Sequence, residues 1–311
     1  MPKKQTVFYH YTSIDALYSI VSSKTFWLAN AKSSNDKTER SFKLKKFCKM
    51  LSDAKEKFDA PSVIKAIDIF LEKKELVPEF EKRKFYILSL TNQKDNLAHW
   101  ERYASEKHGI ALALNSKLFD MLDDKLPSLF RQDILSDFDL IYSYDKCVSL
   151  IIEHINKVLN DNNFLKKEYL ADVFSNCFVS LFYEISSCIK NSSFQDEYER
   201  RVVLDANEME KRTNSLKNSI CMGDKYAIKL IKYQYSDLLE YSNLEKTYFA
   251  PIRGEIRSLH HLNLSKIWDS DLIPEIMLGP NCPQSKDELR AFLDANGLQG
   301  TKITESKIPI R

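Results

Sequence analysis

The residues best suited to chemistry lie far apart in the chain: Phe8-Tyr9-His10-Tyr11-Thr12-Ser13 near its start, and Glu197-Tyr198-Glu199 about two-thirds of the way along. A strand-end triplet of histidine, any residue and threonine suits a nucleotide-binding cleft. The imidazole can hydrogen-bond a ribose hydroxyl, with a second hydroxyl beside it. The same histidine also fits a plain half-buried strand position. From Glu197 to Leu204 the pattern alternates, and as a strand it would set Glu197, Glu199 and Arg201 on one face. Two carboxylates so close repel unless a cation compensates, and Arg201 is at hand. A glutamate in that place suits holding a ribose 2′-hydroxyl and stabilising an oxocarbenium ion during cleavage of an N-glycosidic bond. The plainer alternative is a solvent-facing edge strand carrying a charge ladder.

Further candidates flank these two. Asn35, Asp36 and Glu39 sit in a polar stretch and offer acceptors to a sugar or base, or form only a turn and a helix start. Ser89, Trp100 and Tyr103 offer a wall on which an aromatic ring stacks; alternatively, the two aromatics fill the core. His260-His261 does not read as a metal pair, because neighbours on a strand point to opposite faces and no third ligand is spaced to join them.

The elements that must position these groups follow from periodicity. Val7 to Tyr11 reads as a strand, Ile14 to Ser22 as a helix capped by Thr12 or Ser13, and Phe26 to Asn30 as a strand. Residues 40–75 read as two amphipathic helices broken near Pro61. Phe85 to Thr91, a short helix over Leu97 to Ala104 and Ile110 to Leu114 repeat the strand, helix, strand logic. Residues 116–190 read mainly as a helical cover. Strands are expected at 197–204, around Gly254 within 248–259, at 273–279 and at 301–306, with a helix from Ser285 to Leu293. One domain spanning 1–311 with helical insertions at 40–75 and 116–190 accounts for this order.

Composition narrows the classes. The 311 residues suffice for a sizeable core, and 43% hydrophobic with 29% charged residues is an ordinary globular balance. A net charge of +2 argues for neither nucleic acid nor an anionic membrane. With 6 glycines and neither a G-x-G-x-x-G nor a G-x-x-x-x-G-K-[ST] sequence, Rossmann and P-loop chemistry lacks its usual scaffold. The 6 cysteines form no C-x-x-C pair and read as reduced thiols. No apolar run is long enough to span a bilayer and the opening carries no signal-peptide pattern, so the expectation is a cytoplasmic protein without a membrane partner.

Six segments in order carry a resemblance: Tyr9 to Ser13, Asn35-Asp36 with Glu39, Trp100-Glu101-Arg102-Tyr103 to Gly109, Phe194 with Glu197 to Arg200, Gly279-Pro280, and Ser306 to Arg311. Together they resemble the bacterial family called domain of unknown function 2971. Where that family commonly has tryptophan and arginine after the second glutamate, this chain has Arg200-Arg201. More distantly, the H-x-T strand, helix and aromatic strand are similar to the start of the ADP-ribosyltransferase fold. The implied fold is α+β: a mixed, mostly antiparallel sheet flanked by helices, with an ADP-ribosyltransferase-like core carrying helical insertions. The implied substrate is NAD, with no metal, and ADP-ribose would pass to water or to a protein or nucleic-acid acceptor, as in toxin or phage-defence effectors. In that scheme His10 contacts the ribose with Thr12 beside it, Glu199 is catalytic and Glu197 orients the acceptor. Arg201 or Arg253 meets the pyrophosphate, and Tyr11, Trp27 or Trp100 stacks on nicotinamide. Tyr11, Thr12, Asn35, Asp36, Trp100, Tyr103 and Arg201 then make up the NAD-binding set. The alternatives are a non-catalytic nucleotide sensor or interaction module and, ranked below it, a nuclease using Mg²⁺ on Asp36, Glu39 and Glu197.

Overall fold

In the computed structural model, which describes residues 7–33, 44–73, 84–115, 118, 135–161, 167, 171–210, 214, 246–252 and 254–309, the chain opens as its periodicity dictates. β1 (Val7–Thr12) leads to Ser13, whose hydroxyl accepts from the Ala16 amide at 3.1 Å and caps α1 (Ile14–Ser23). Lys24, in the left-handed region at φ 52°, turns the chain into β2 (Thr25–Asn30). Two amphipathic helices follow, α2 (Leu44–Lys55) and α3 (Pro61–Lys73). Pro61 stands at the first helical position, where its missing N–H costs nothing.

β3 (Phe85–Thr91), α4 (Leu97–Tyr103) and β4 (Ile110–Asn115) form the second strand, helix, strand unit. The turn after α4 presses against the Thr12 carbonyl at the end of β1, where a β-carbon on Gly109 would collide. Then come β5 (Leu135–Asp139), α5 (Tyr144–Asp161), α6 (Ala171–Ser175), α7 (Cys177–Cys188) and β6 (Glu199–Asp205). The chain continues through β7 (Tyr248–Ile252), β8 (Glu255–Asn263), β9 (Glu275–Leu278), α8 (Lys286–Ala295) and β10 (Lys302–Glu305). No helix among the described residues is long and apolar enough to cross a membrane.

The described strands join one sheet in the order β10-β9-β4-β1-β3-β2-β8-β7, with β6 on β3 and β5 beyond β6. Every pairing is antiparallel except β9 with β10, so the sheet is mixed and mostly antiparallel, flanked by helices. β6 therefore lies between β3 and β5 and is no solvent-facing edge, which corrects that reading of 197–204.

β3 decides the shape of the site. It pairs with β6 along its whole length, but shares its other side between two strands. β1 meets it at Tyr9↔Thr91, and β2 at Ala29↔Ile87 and Asn30↔Tyr86. β1 and β2 diverge between these points, and the sheet splits beside Leu88, Ser89 and Leu90.

Alternation sorts the side chains into two faces. Phe8, Phe26, Leu28, Leu88, Leu90, Val202 and Leu204 pack one face against α1 and α8. The other face has two separate covers. Phe85 and Val203 pack under α2, α3 and α5–α7, whereas Tyr9, Tyr11, Ala111, Ala113 and Met277 pack under Trp100 of α4.

Asp95, in the loop before α4, ties the C-terminal segment to this second cover. It accepts from the Trp100 indole and the Ser306 hydroxyl, both at 2.7 Å, and from the Lys307 amide at 2.9 Å. Burial alone would push its carboxyl up, but the three donors and nearby Lys94 outweigh it and hold it below the usual aspartate range. A carboxyl depressed by folding contributes stability that is present above its unfolded pKa and lost as pH falls through the folded one. Asp95→Asn is expected to cost about 2 kcal/mol at pH 7 and to flatten the acid limb of the stability curve. Urea denaturation of both proteins from pH 7 to pH 3 tests this, and parallel curves would refute it.

Candidate functional site

Ser192–Glu197 forms a 3₁₀ turn closed by Tyr198 at φ 45°, and β6 begins only at Glu199. Glu197 is therefore not a strand residue, contrary to the alternation expected from the sequence. Its carboxylate still stands beside that of Glu199, because one ammonium group holds both. Lys190 Nζ donates to Glu197 Oε2 at 2.7 Å and to Glu199 Oε2 at 2.6 Å, with all three side chains about 95% buried.

Glu199 is held on every side. Its Oε1 accepts from the Ser89 hydroxyl at 2.6 Å and from Arg201 Nε at 2.7 Å, while Oε2 also accepts from Arg201 Nη2 at 3.2 Å. Burial opposes ionisation, but Arg201 and Lys190 outweigh it and hold the carboxyl down at about 2. For Lys190 the balance runs the same way: burial would lower its pKa, and the Glu199 carboxylate drives it up. Glu197 is clamped by Tyr103, whose hydroxyl donates to Oε1 at 2.5 Å, and by Arg102 at 3.3 Å. Burial and then the Glu197 carboxylate push the Tyr103 phenol well above its ordinary value.

Strand register places His10 and Glu199 on opposite faces, which corrects the expectation that the two converge on the pocket from one face of the sheet. Tyr9, Thr91 and Glu199 stand side by side, so His10 points the other way, where its ring meets Phe26 edge-on at 5.9 Å. The two groups are joined through the split in the sheet. The Ser89 carbonyl accepts from His10 Nδ1 at 3.1 Å, and the Ser89 hydroxyl donates to Glu199. A carbonyl only accepts, so Nδ1 carries the hydrogen and Nε2 keeps a lone pair. Burial lowers the His10 pKa, partly offset by the Ser89 carbonyl, which keeps the ring neutral.

A cavity of about 340 Å³ opens at this split, walled by His10, Thr12, Ser89, Glu199 and Trp27 among others. A second chamber of about 710 Å³ adjoins it and shares His10, Thr12, Trp27, Tyr103 and Ile252. Both volumes are in the range of small-molecule sites. Three of the described left-handed residues, Ser105, Glu106 and Lys107 at φ 47°, 52° and 79°, follow α4, and the first two form part of the second chamber's wall. Residues 99–202 match the sequence profile of a family described as Protein of unknown function (DUF2971). No curated protein and no solved structure matches the chain. The matched stretch runs from His99 in α4 to Val202 in β6 and carries Lys190, Glu197, Glu199 and Arg201; His10, Trp27 and Ser89 lie outside it.

The expected site residues divide accordingly. His10, Tyr11, Thr12, Tyr103, Glu197, Glu199 and Arg201 all line the first cavity. Trp100 is 0% exposed, packed against Tyr11 with its indole on Asp95, so it belongs to the core and is no stacking wall. Arg201 spends its guanidinium on Glu199 and the Ser187 carbonyl, so it neutralises the carboxylate and does not reach for a pyrophosphate. Of the three candidate stacking aromatics, Tyr11 is buried with its hydroxyl on the Gln93 carbonyl, and Trp27 is 43% exposed on both chambers. Asn35, Asp36, Glu39 and Arg253 lie outside the described residues.

His260 and His261 do point apart, His260 against Tyr86 at 4.2 Å and His261 stacked between Trp27 at 6.1 Å and Tyr248 at 3.7 Å. Among the described residues no group of three or more His, Cys, Asp or Glu is placed to hold a metal. Sequence reasoning missed Lys190. Its signal was a single lysine ending the apolar run of α7, where a charge needs a buried partner.

Lys190→Met is expected to lower stability by about 3–5 kcal/mol, because it leaves buried carboxylate charge uncompensated. The Glu199 contribution should persist down to about pH 4.5 and vanish as pH falls toward about 2. Thermal melts from pH 6 to pH 2 with Glu199→Gln as reference test the second statement. A wild-type acid limb no steeper than that of the variant would refute it.

Proposed function

We propose that the cleft binds NAD and that the protein cleaves its nicotinamide N-glycosidic bond, passing ADP-ribose to water or to a macromolecular acceptor. The observation that carries this reading is the meeting of His10 and Glu199 on one residue, Ser89, at the mouth of a cavity of nucleotide scale. The likeness of the opening strand to the ADP-ribosyltransferase fold supports it as analogy.

In this mechanism His10 Nε2 accepts from a ribose hydroxyl, while Glu199 accepts from the 2′-hydroxyl in place of Ser89. The carbon–nitrogen bond breaks with both electrons passing to the pyridinium nitrogen, and nicotinamide leaves neutral. The positive charge left on the sugar develops beside a carboxylate that stays ionised throughout. Glu197 orients the acceptor, which adds to the anomeric carbon and releases its proton to solvent. Trp27 presents its electron-rich face to the cationic ring, braced from behind by His261 and Tyr248. Arg102 and Arg257, each lining one of the two chambers and bound to a carboxylate, are the cations that meet the pyrophosphate.

One observation favours a second reading, a nucleotide sensor without turnover: both Glu199 oxygens are already engaged by donors from Ser89, Lys190 and Arg201. A carboxylate so occupied can serve as a structural clamp.

Nicotinamide release from NAD separates the two. The enzyme reading expects turnover that falls about 10²–10³-fold in Glu199→Gln and a raised KM in His10→Ala. It also expects about tenfold weaker NAD binding in Trp27→Ala. NAD binding without nicotinamide release would establish the sensor, and no binding would end both readings.

A further inference from the structure

His99 is 4% exposed and lines the first cavity, with the rings of Tyr11 and Tyr103 beside it at 5.1 and 5.8 Å. Its Nε2 lies 3.2 Å from the Glu197 carbonyl oxygen. A carbonyl accepts and never donates, so Nε2 carries the hydrogen and Nδ1 is left with a bare lone pair. That Nδ1 is buried and has no hydrogen-bond partner. A buried acceptor without a donor costs about 1–3 kcal/mol, and His99 sits where a ligand can supply one.

We infer that His99 Nδ1 is a specificity-determining acceptor that selects ligands bearing an uncharged N–H donor, a carboxamide, and rejects the matching carboxylate. A carboxamide NH₂ donates to the lone pair. A carboxylate sets a lone pair against a lone pair and brings a charge that the fully engaged Lys190 and Arg201 do not meet. Nδ1 is buried in the unliganded cleft, so the contact forms only as the ligand displaces part of the cavity wall beside His99. Burial holds the His99 pKa below its ordinary value, against the upward pull of the Glu197 carbonyl and carboxylate, so the lone pair is present at neutral pH.

The inference rests on the proposed NAD reading for the identity of the ligand, but the discrimination itself can be read without it. Calorimetric titration of the wild type with NAD and with its nicotinic-acid counterpart, and separately with benzamide and benzoate, is expected to show at least tenfold tighter binding of each amide. His99→Gln keeps a donor at the place of Nε2 for the Glu197 carbonyl and removes the acceptor at the place of Nδ1. That variant should melt within a few degrees of the wild type and bind amide and acid within about threefold of each other. His99→Asn, with an acceptor near the position of Nδ1, should keep part of the preference. Equal binding of amide and acid by the wild type, or an undiminished preference in His99→Gln, would overturn the inference. Benzamide selectivity lost in His99→Gln, with no NAD binding, would uphold it and end the NAD reading. Nicotinamide release from NAD with selectivity unchanged in His99→Gln would do the reverse. Should neither dinucleotide nor benzamide bind, both fall.

Discussion

Two carboxylates and two cations are buried together in the middle of a sheet, and the architecture around them is a set of solutions to that constraint. Removing an ion from water costs several kcal/mol, repaid only when partners arrive in good geometry and the remaining lone pairs are filled. Here the repayment is complete for Glu199: a forked guanidinium, an ammonium and a hydroxyl fill its acceptor sites. Each partner fixes a piece of backbone. Lys190 must emerge from the end of α7, Tyr198 must take a left-handed turn for Glu197 to reach the same ammonium, and Ser89 must lie opposite Arg201 in β3.

The cluster sits where two helical covers on one face part, and next to the point where β1 and β2 leave β3. Continuous pairing there would bury the charges under a closed sheet and leave His10 on the far side. The divergence instead exposes the Ser89 carbonyl to an imidazole from the other face. A serine with both its backbone and its side chain engaged thus links two layers that a regular sheet keeps apart. The split also makes the cavity, so the geometry that relates His10 to Glu199 is the same geometry that opens a cavity onto both.

Much of the frame was legible from periodicity, because it depends on local signals. The Ser13 cap, the α2–α3 break at Pro61 and the strand, helix, strand units all follow from spacing within ten or fifteen residues. The candidate site was legible in part, and where it failed the cause was non-local. Alternation placed Glu197 in a strand, but tertiary demand for a shared ammonium folded it into a 3₁₀ turn. Trp100 in a polar helix fits a ligand wall and a core position alike, and only the sheet beneath α4 and the C-terminal segment tied to Asp95 decide for the core. Arg201 compensates the Glu199 carboxylate, as its place on the same strand face implies, and that role takes its guanidinium away from a pyrophosphate. Lys190 leaves only a weak signal as a site residue, because the 3₁₀ turn and the left-handed Tyr198 that bring both glutamates to its ammonium are not announced by any propensity.

The cluster's self-sufficiency bears on what recognises a ligand. Groups that satisfy one another so fully supply a fixed field and offer few free hydrogen-bonding positions, so on the proposed reading selectivity comes from atoms of other cavity-lining residues with capacity left over. Those atoms lie on different parts of the chain. His10 Nε2 and the open face of Trp27 belong to the N-terminal unit, and His99 Nδ1 opens the stretch that carries the charges. On that reading the electrostatic half of the site stays rigid while the recognising half changes, since replacing Trp27 or His99 removes no hydrogen-bond partner of a buried carboxylate whereas replacing Lys190 or Arg201 does.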